Sequence, residues 1–121
     1  MFPGAPIPVV QLSIDGIEGP QNAYDIGKAL APLREKGYLL LGSGNIVHNL
    51  RRLEWDNPNG SPQADRFDAF ITGLVKKRDN EKIIHYEDNP DAAYAAPTAD
   101  HFLPLLYTPV SYTHLTLPTI R

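Results

Sequence analysis

The stretch LLLGSGNIVHNL, residues 39–50, passes from an apolar block through two glycines to a single histidine. A short continuous apolar run such as YLLLGS (38–43) is typical of a strand that is covered on both faces. The β-branched run IPVVQLSI (7–14) predicts an earlier strand, with a helix between the two. Strand, helix and strand in this order predict a right-handed βαβ unit. We therefore expect an α/β fold, a partial, mostly parallel sheet flanked by helices.

The helix of this unit is predicted from apolar residues at helical spacing and from a stop signal. Gly37 is a suitable residue to follow the helix end, because glycine readily adopts the left-handed conformation needed there. Pro32 removes a backbone hydrogen bond inside the pattern, so we expect a kink or an irregular last turn. The apolar positions are Ala23, Ile26, Leu30 and Leu33.

Further helices are predicted along the rest of the chain. Asn45 is a candidate N-cap for a short helix that reaches Leu53. Ser61 and Pro62 predict the start of a stronger helix that ends near residue 79. A short helix is expected over 81–87, a loop over 88–97, and a last helical segment capped by Thr98 and interrupted by Pro104. The buried stripe of the stronger helix is predicted at Ala64, Phe67, Ile71, Leu74 and Val75.

The last residues, VSYTHLTLPTIR, depart from this pattern in composition and follow no apolar stripe. They resemble one reading frame of the transposon-adapter DNA used to prepare sequencing libraries. We therefore expect 110–121 to be a non-native tail and exclude it from the fold. The alternative is a genuine β-hairpin segment, since SYTHLTL alternates crudely.

The bulk composition limits the classes of function. The 121 residues suffice for one domain, and the net charge of -3 gives no reason to expect nucleic acid or an anionic membrane as partner. With no cysteine there is no disulfide, zinc–thiolate site or iron–sulfur cluster. The N-terminus lacks the pattern of a signal peptide, and the apolar runs are too short for a bilayer. We expect a soluble, cytoplasmic protein.

Residues 42–45, GSGN, are predicted at the carboxyl end of a strand, where α/β sheets bind ligands. The two glycines allow close backbone approach, and a following helix would offer free N–H groups to an anion or a polarised oxygen. His48 points away from the apolar stripe of that helix, so it faces either solvent or a cavity. His101 lies among core candidates and is either structural or a ligand. The residues alone leave both histidines undecided.

Three segments together bear a family resemblance. PIPVVQLSID, LLLGSGNIVHNLRRLEW and PTADHFLPLLY, in this order, resemble the class III extradiol ring-cleavage dioxygenases, in the 4,5-DOPA extradiol dioxygenase-like branch. The resemblance implies a non-haem metal enzyme that opens a catecholic ring beside its two hydroxyls with dioxygen. It also implies that 1–109 is the C-terminal part of a catalytic extradiol dioxygenase domain.

The resemblance assigns roles to individual residues. His48 matches a metal ligand of the family. His101 matches a second histidine, which is a metal ligand or a catalytic acid/base, and Asn45 is the candidate substrate-binding residue. The implied metal is Fe(II), with zinc possible at the same site, and the implied partners are a catecholic small molecule and O₂.

The family's other metal histidines would lie in an N-terminal half that this chain lacks, so the chain alone is expected to be inactive. The alternative function is a small, non-catalytic α/β binding module that contacts an anion through residues 42–45.

Overall fold

The computed structural model describes residue 4, residues 7–57 and residues 59–108. Five α-helices occur in these ranges: α1 (Gly19–Leu30), α2 (Pro62–Lys77), α3 (Asn80–Ile84), α4 (Ala92–Ala95) and α5 (Leu103–Tyr107). Short 3₁₀ helices cover Ala31–Lys36, Leu50–Arg52 and Tyr86–Asp88. No helix among the described residues combines the length and apolar character that crossing a bilayer requires. The predicted tail, 110–121, lies outside the described residues.

The predicted α/β fold with a partial parallel sheet is wrong for the described ranges, which contain no strand. Residues 7–14 and 38–43 have no regular secondary structure, and Val10 and Leu39 are 88% and 76% exposed. A strand exists only through hydrogen bonds to a neighbouring strand. An apolar run indicates side chains suited to burial, but it does not supply the partner.

Helix α2 forms as predicted. The Ser61 hydroxyl accepts a hydrogen bond from the Ala64 N–H at 3.2 Å, which is the expected N-cap. Pro62 occupies the first turn, where it displaces no intrahelical bond, and the helix ends at Lys77 before a left-handed Arg78. Ala64 is half-buried. The rest of the predicted stripe is buried: Phe67, Ile71, Leu74 and Val75.

Helix α1 also follows its sequence signals. The α-helix ends at Leu30 and continues as a 3₁₀ helix over Ala31–Lys36, with Pro32 in its first turn, which confirms the irregular last turn. Gly37 follows with a φ of 84°, the left-handed conformation expected of it. Gly27 brings α1 against α5, because a Cβ there would lie 2.8 Å from the Tyr107 carbonyl oxygen.

Three other local predictions are wrong. No helix runs from Asn45 to Leu53; instead the side chain of Asn49 caps the short 3₁₀ helix at Leu50 by accepting from the Arg51 N–H. The predicted loop over 88–97 contains α4. Thr98 caps no helix, because α5 begins only at Leu103.

The core next to the histidine segment is aromatic. The rings of Tyr86 and Phe102 lie 3.9 Å apart between centroids, and Phe67 is 6.2 Å from Phe102. All three side chains are buried. Burial, together with the neighbouring Glu87 carboxylate, raises the pKa of Tyr86 to about 12. Phe102 thus anchors the turn before α5 and leaves the adjacent His101 at the surface.

Candidate functional site

The structure brings His48 and His101 together. His48 comes from the irregular segment before the Leu50–Arg52 helix, and His101 comes from the turn before α5. Their ring centroids are 5.2 Å apart and the rings are inclined by 44°. His48 is half-buried, whereas the side chain of His101 is 56% exposed. Two histidines distant in sequence therefore share one surface site.

Besides the contact of the His48 ring with Thr98, three hydrogen bonds join the segment around His48 to α4 and to the turn before α5. The Asn45 N–H donates to the His101 carbonyl at 2.9 Å, and the His48 N–H donates to the Ala95 carbonyl at 2.9 Å. The side-chain amide of Asn49 donates to the Tyr94 carbonyl at 2.5 Å. These bonds satisfy polar groups of a segment that lies in neither helix nor sheet, and they fix the relative position of the two histidines.

The glycines of the GSGN loop allow this close approach. A Cβ on Gly44 would overlap the carbonyl oxygen of His101, and one on Gly42 would lie 2.7 Å from the carbonyl oxygen of Pro104. Close backbone approach was predicted, but its partner is the chain itself rather than a ligand. The anion-binding interpretation also depended on a helix beginning at Asn45, which is absent, and the N–H of Asn45 is bonded to His101.

The two ring nitrogens of His48 have different surroundings. Nε2 lies 2.8 Å from the carbonyl oxygen of Thr98 and 3.4 Å from its hydroxyl. Nδ1 is buried and has no hydrogen-bond partner within the described part of the chain. An unpaired buried nitrogen is unfavourable by about 1–3 kcal/mol unless a ligand satisfies it.

Thr98 contacts His48 and Asp100 faces His101; from the sequence, Thr98 was predicted only as a helix cap and Asp100 was assigned no role. Oδ2 of Asp100 lies 3.5 Å from Nε2 of His101. A hydrogen bond from the Thr98 side chain, more than any other contact, lowers the pKa of the Asp100 carboxyl, and charge on the two histidines adds to this. Both residues lie within the PTADH sequence, residues 97–101. Their nearness to His101 in the sequence was the signal that could have identified them as part of the site.

Among the described residues, no three His, Cys, Asp or Glu side chains are arranged to hold a metal ion. His85 stands apart from the site, 61% exposed and 3.8 Å from the Glu81 carboxylate. Asn45 is exposed beside His101. The chain thus offers a pair of imidazoles, one of which has a buried, unpartnered nitrogen.

Comparisons with known proteins agree on one family. Residues 1–108 match the family described as the catalytic LigB subunit of aromatic ring-opening dioxygenase. The 4,5-DOPA dioxygenase extradiol of Escherichia coli K12 is 36% identical over 111 residues, which cover 88% of this chain and 41% of that protein. The enzyme of the same name from Beta vulgaris is 34% identical, over 87% of this chain and 40% of its own length.

A solved structure also resembles the chain. The crystal structure of the uncharacterized protein JW3007 from Escherichia coli K12 superposes with a TM-score of 0.83 at 34% identity. The superposition covers 93% of this chain and 48% of that one. The chain therefore spans about two fifths to one half of the length of the proteins that it matches.

Proposed function

Because the chain belongs to the family of the catalytic LigB subunit of aromatic ring-opening dioxygenases, we propose that His48 and His101 contribute to a metal centre for extradiol ring cleavage. The observation that carries the proposal is the contact between the two imidazole rings, 5.2 Å apart between centroids. The relatives are named for 4,5-DOPA, so the proposed substrates are a DOPA-like catechol and O₂.

The donor set suits a non-haem metal. Neutral imidazole nitrogens bind Fe(II) and also zinc, and Nδ1 of His48 is a buried nitrogen without a protein partner among the described residues. The proposed metal is Fe(II), with zinc as an occupant of the same site. When bound, Fe(II) supplies open coordination positions for the two catechol oxygens and for dioxygen.

The residues of this chain take three roles in the proposal. His48 holds the metal. His101 either holds the metal or moves the proton of a catechol hydroxyl, and histidine suits both tasks because it exchanges protons near neutral pH. Asn45, exposed on the loop beside His101, contacts the substrate.

Two imidazoles are fewer than the roughly three protein ligands that a catalytic metal site uses. We propose that the remaining ligands are histidines of the region that the relatives possess and this chain does not span. The chain alone is then expected to bind metal weakly and to show no turnover. The proposed compartment is the cytoplasm, whose reducing conditions suit a cysteine-free chain.

A chimera tests the metal role of His48. Residues 1–108 replace the matching part of the Escherichia coli 4,5-DOPA dioxygenase extradiol, and the product is loaded with Fe(II) without oxygen. We expect it to bind iron and to open DOPA, and we expect His48→Ala to lose both. His85→Ala is the matched control, because His85 is an exposed histidine outside the site. If His48→Ala keeps its iron and its activity in a folded chimera, the proposed metal role is wrong.

His101→Gln in the same chimera separates the two roles of His101. Loss of turnover with iron retained would assign proton transfer, and joint loss of both would assign metal binding. Full activity with full iron content would remove His101 from the site. Circular dichroism and gel filtration establish that each variant is folded before iron is measured.

A further inference from the structure

Thr98 and Asp100 lie beside the two candidate ligands, Thr98 in contact with His48 and Asp100 in contact with His101. The Thr98 carbonyl oxygen is 2.8 Å from Nε2 of His48, and Oδ2 of Asp100 is 3.5 Å from Nε2 of His101. Thr98 and Asp100 stand two residues apart in the turn before α5, so one short segment supplies both contacts. We propose that Thr98 and Asp100 are positioning residues that orient both imidazoles, an inference that rests on the proposed metal role of the histidines.

The contact to Thr98 determines the tautomer of His48. A carbonyl oxygen can only accept, so a hydrogen bond at 2.8 Å requires the proton on Nε2. In a neutral ring the lone pair then lies on Nδ1, the nitrogen that is buried without a partner among the described residues. Histidines that bind metals usually donate their other ring N–H to a carbonyl or a carboxylate. The metal-binding nitrogen of His48 is therefore Nδ1.

Asp100 determines the tautomer of His101, as the Thr98 carbonyl does for His48. The backbone of His101 is held by the Asn45 N–H, which donates to its carbonyl oxygen at 2.9 Å, but that bond leaves the ring free to turn. An ionised carboxylate only accepts hydrogen bonds, so Asp100 favours a proton on the facing Nε2. This leaves Nδ1 of His101 as the nitrogen with the lone pair.

Nitrogen NMR of the whole chain tests the tautomers without any metal. Long-range proton–nitrogen correlations on nitrogen-15-labelled protein at about pH 8 show which ring nitrogen carries the proton. We expect Nε2–H for His48 and His101, and His85 serves as the exposed reference. A predominant Nδ1–H tautomer in His48 would overturn the inference.

Substitution of Asp100 tests its positioning role. Asp100→Asn keeps the shape of the side chain and removes its charge, so we expect the His101 population to shift towards Nδ1–H. In the chimera, metal affinity should fall about 10–100-fold, as for other groups that orient metal ligands. Asp100→Glu should restore part of the Nε2–H population of His101 and part of the metal affinity. Asp56→Asn is the control, since Asp56 is exposed in an irregular segment elsewhere.

Thr98→Ala removes the hydroxyl and keeps the backbone carbonyl that faces His48. We expect it to leave the His48 tautomer unchanged, because the carbonyl that accepts from Nε2 belongs to the backbone. If Asp100→Asn matches Asp56→Asn in tautomers and in metal affinity, the positioning role is wrong. A chimera that binds no iron, with both Nε2–H tautomers present in the chain, would contradict the proposed function but support the positioning role.

Discussion

At position 44 the chain has room for a hydrogen atom and for nothing larger. The loop before His48 lies so close to the turn before α5 that a Cβ on Gly44 would overlap the His101 carbonyl oxygen. The neighbouring Asn45 N–H donates to that same oxygen. The position of His48 relative to His101 therefore depends on a glycine at position 44, because any larger residue would push the two segments apart.

Gly44→Ala should destabilise the fold by about 1–3 kcal/mol, because a methyl group inserted against backbone forces the loop away. Thermal unfolding measures the loss, and amide hydrogen exchange should be faster at Asn45, whose bond to His101 breaks. Gly73→Ala is the matched control. A Cβ at Gly73 in α2 meets nothing within 4 Å, so this change should be neutral or stabilise by up to about 1 kcal/mol. Equal unfolding midpoints for the two variants would contradict the packing argument.

At this scale the sequence identified the candidate histidines, and only through a family resemblance. His48 and His101 belong to segments that match the family, and the structure places their rings together. Their roles in metal binding and catalysis remain predictions. Thr98 and Asp100 were not identified, because their contacts with the histidines depend on how the turn before α5 folds, and no periodic pattern encodes that turn.

At the scale of elements, what could be predicted depended on whether the signals were local. Helix α2 formed as predicted because its N-cap, first-turn proline and apolar stripe all act within one segment. The prediction of strands over 7–14 and 38–43 was wrong, because a strand needs a pairing partner from elsewhere in the molecule. The predicted helix at Asn45 is absent because the Leu50 N–H donates to the His48 carbonyl at 3.0 Å instead of to the carbonyl four residues back.

A bidentate ion pair connects α2 to Asp91, the residue that precedes α4. Nε and Nη2 of Arg66 each donate to an oxygen of Asp91 at 2.8 Å. Asp91 directly precedes α4, whose Ala95 carbonyl accepts from the His48 N–H. The hydrogen bonds from Arg66 hold the pKa of the Asp91 carboxyl below its ordinary value. The pair therefore stabilises the position of α4, the helix that the His48 backbone contacts.

Arg66→Ala should lower the thermal midpoint at neutral pH, and the difference from the unsubstituted chain should disappear in acid. Because the pKa of Asp91 is lower in the folded state, its stabilising effect is complete above the ordinary value of 3.8. The effect is lost as the pH falls through the lower folded-state pKa. Unfolding midpoints at several pH values measure this. Lys76→Ala, an exposed cation on the same helix, is the control, and a difference that persists in strong acid would contradict the assignment.

At the scale of the whole molecule, exposed apolar side chains are concentrated in two irregular segments. Single exposed apolar residues are common on proteins, but consecutive ones mark surfaces that associate. In the first segment the exposed residues are Ile7, Val9, Val10, Leu12 and Ile14, and in the second they are Tyr38, Leu39 and Leu41. The same runs that suggested strands thus leave eight large apolar side chains exposed to water.

We predict that the chain self-associates through these segments and that the double change Val10→Lys and Leu39→Lys reduces the association. Both side chains are well exposed, at 88% and 76%, so lysine adds charge to the surface without disturbing the core. Sedimentation velocity over a range of concentrations measures the association. Leu50→Lys is the control, because Leu50 is equally exposed, at 76%, but lies outside both segments. If the unsubstituted chain stays monomeric at every concentration, or if the control reduces association as much as the double variant, these two segments are not the associating surface.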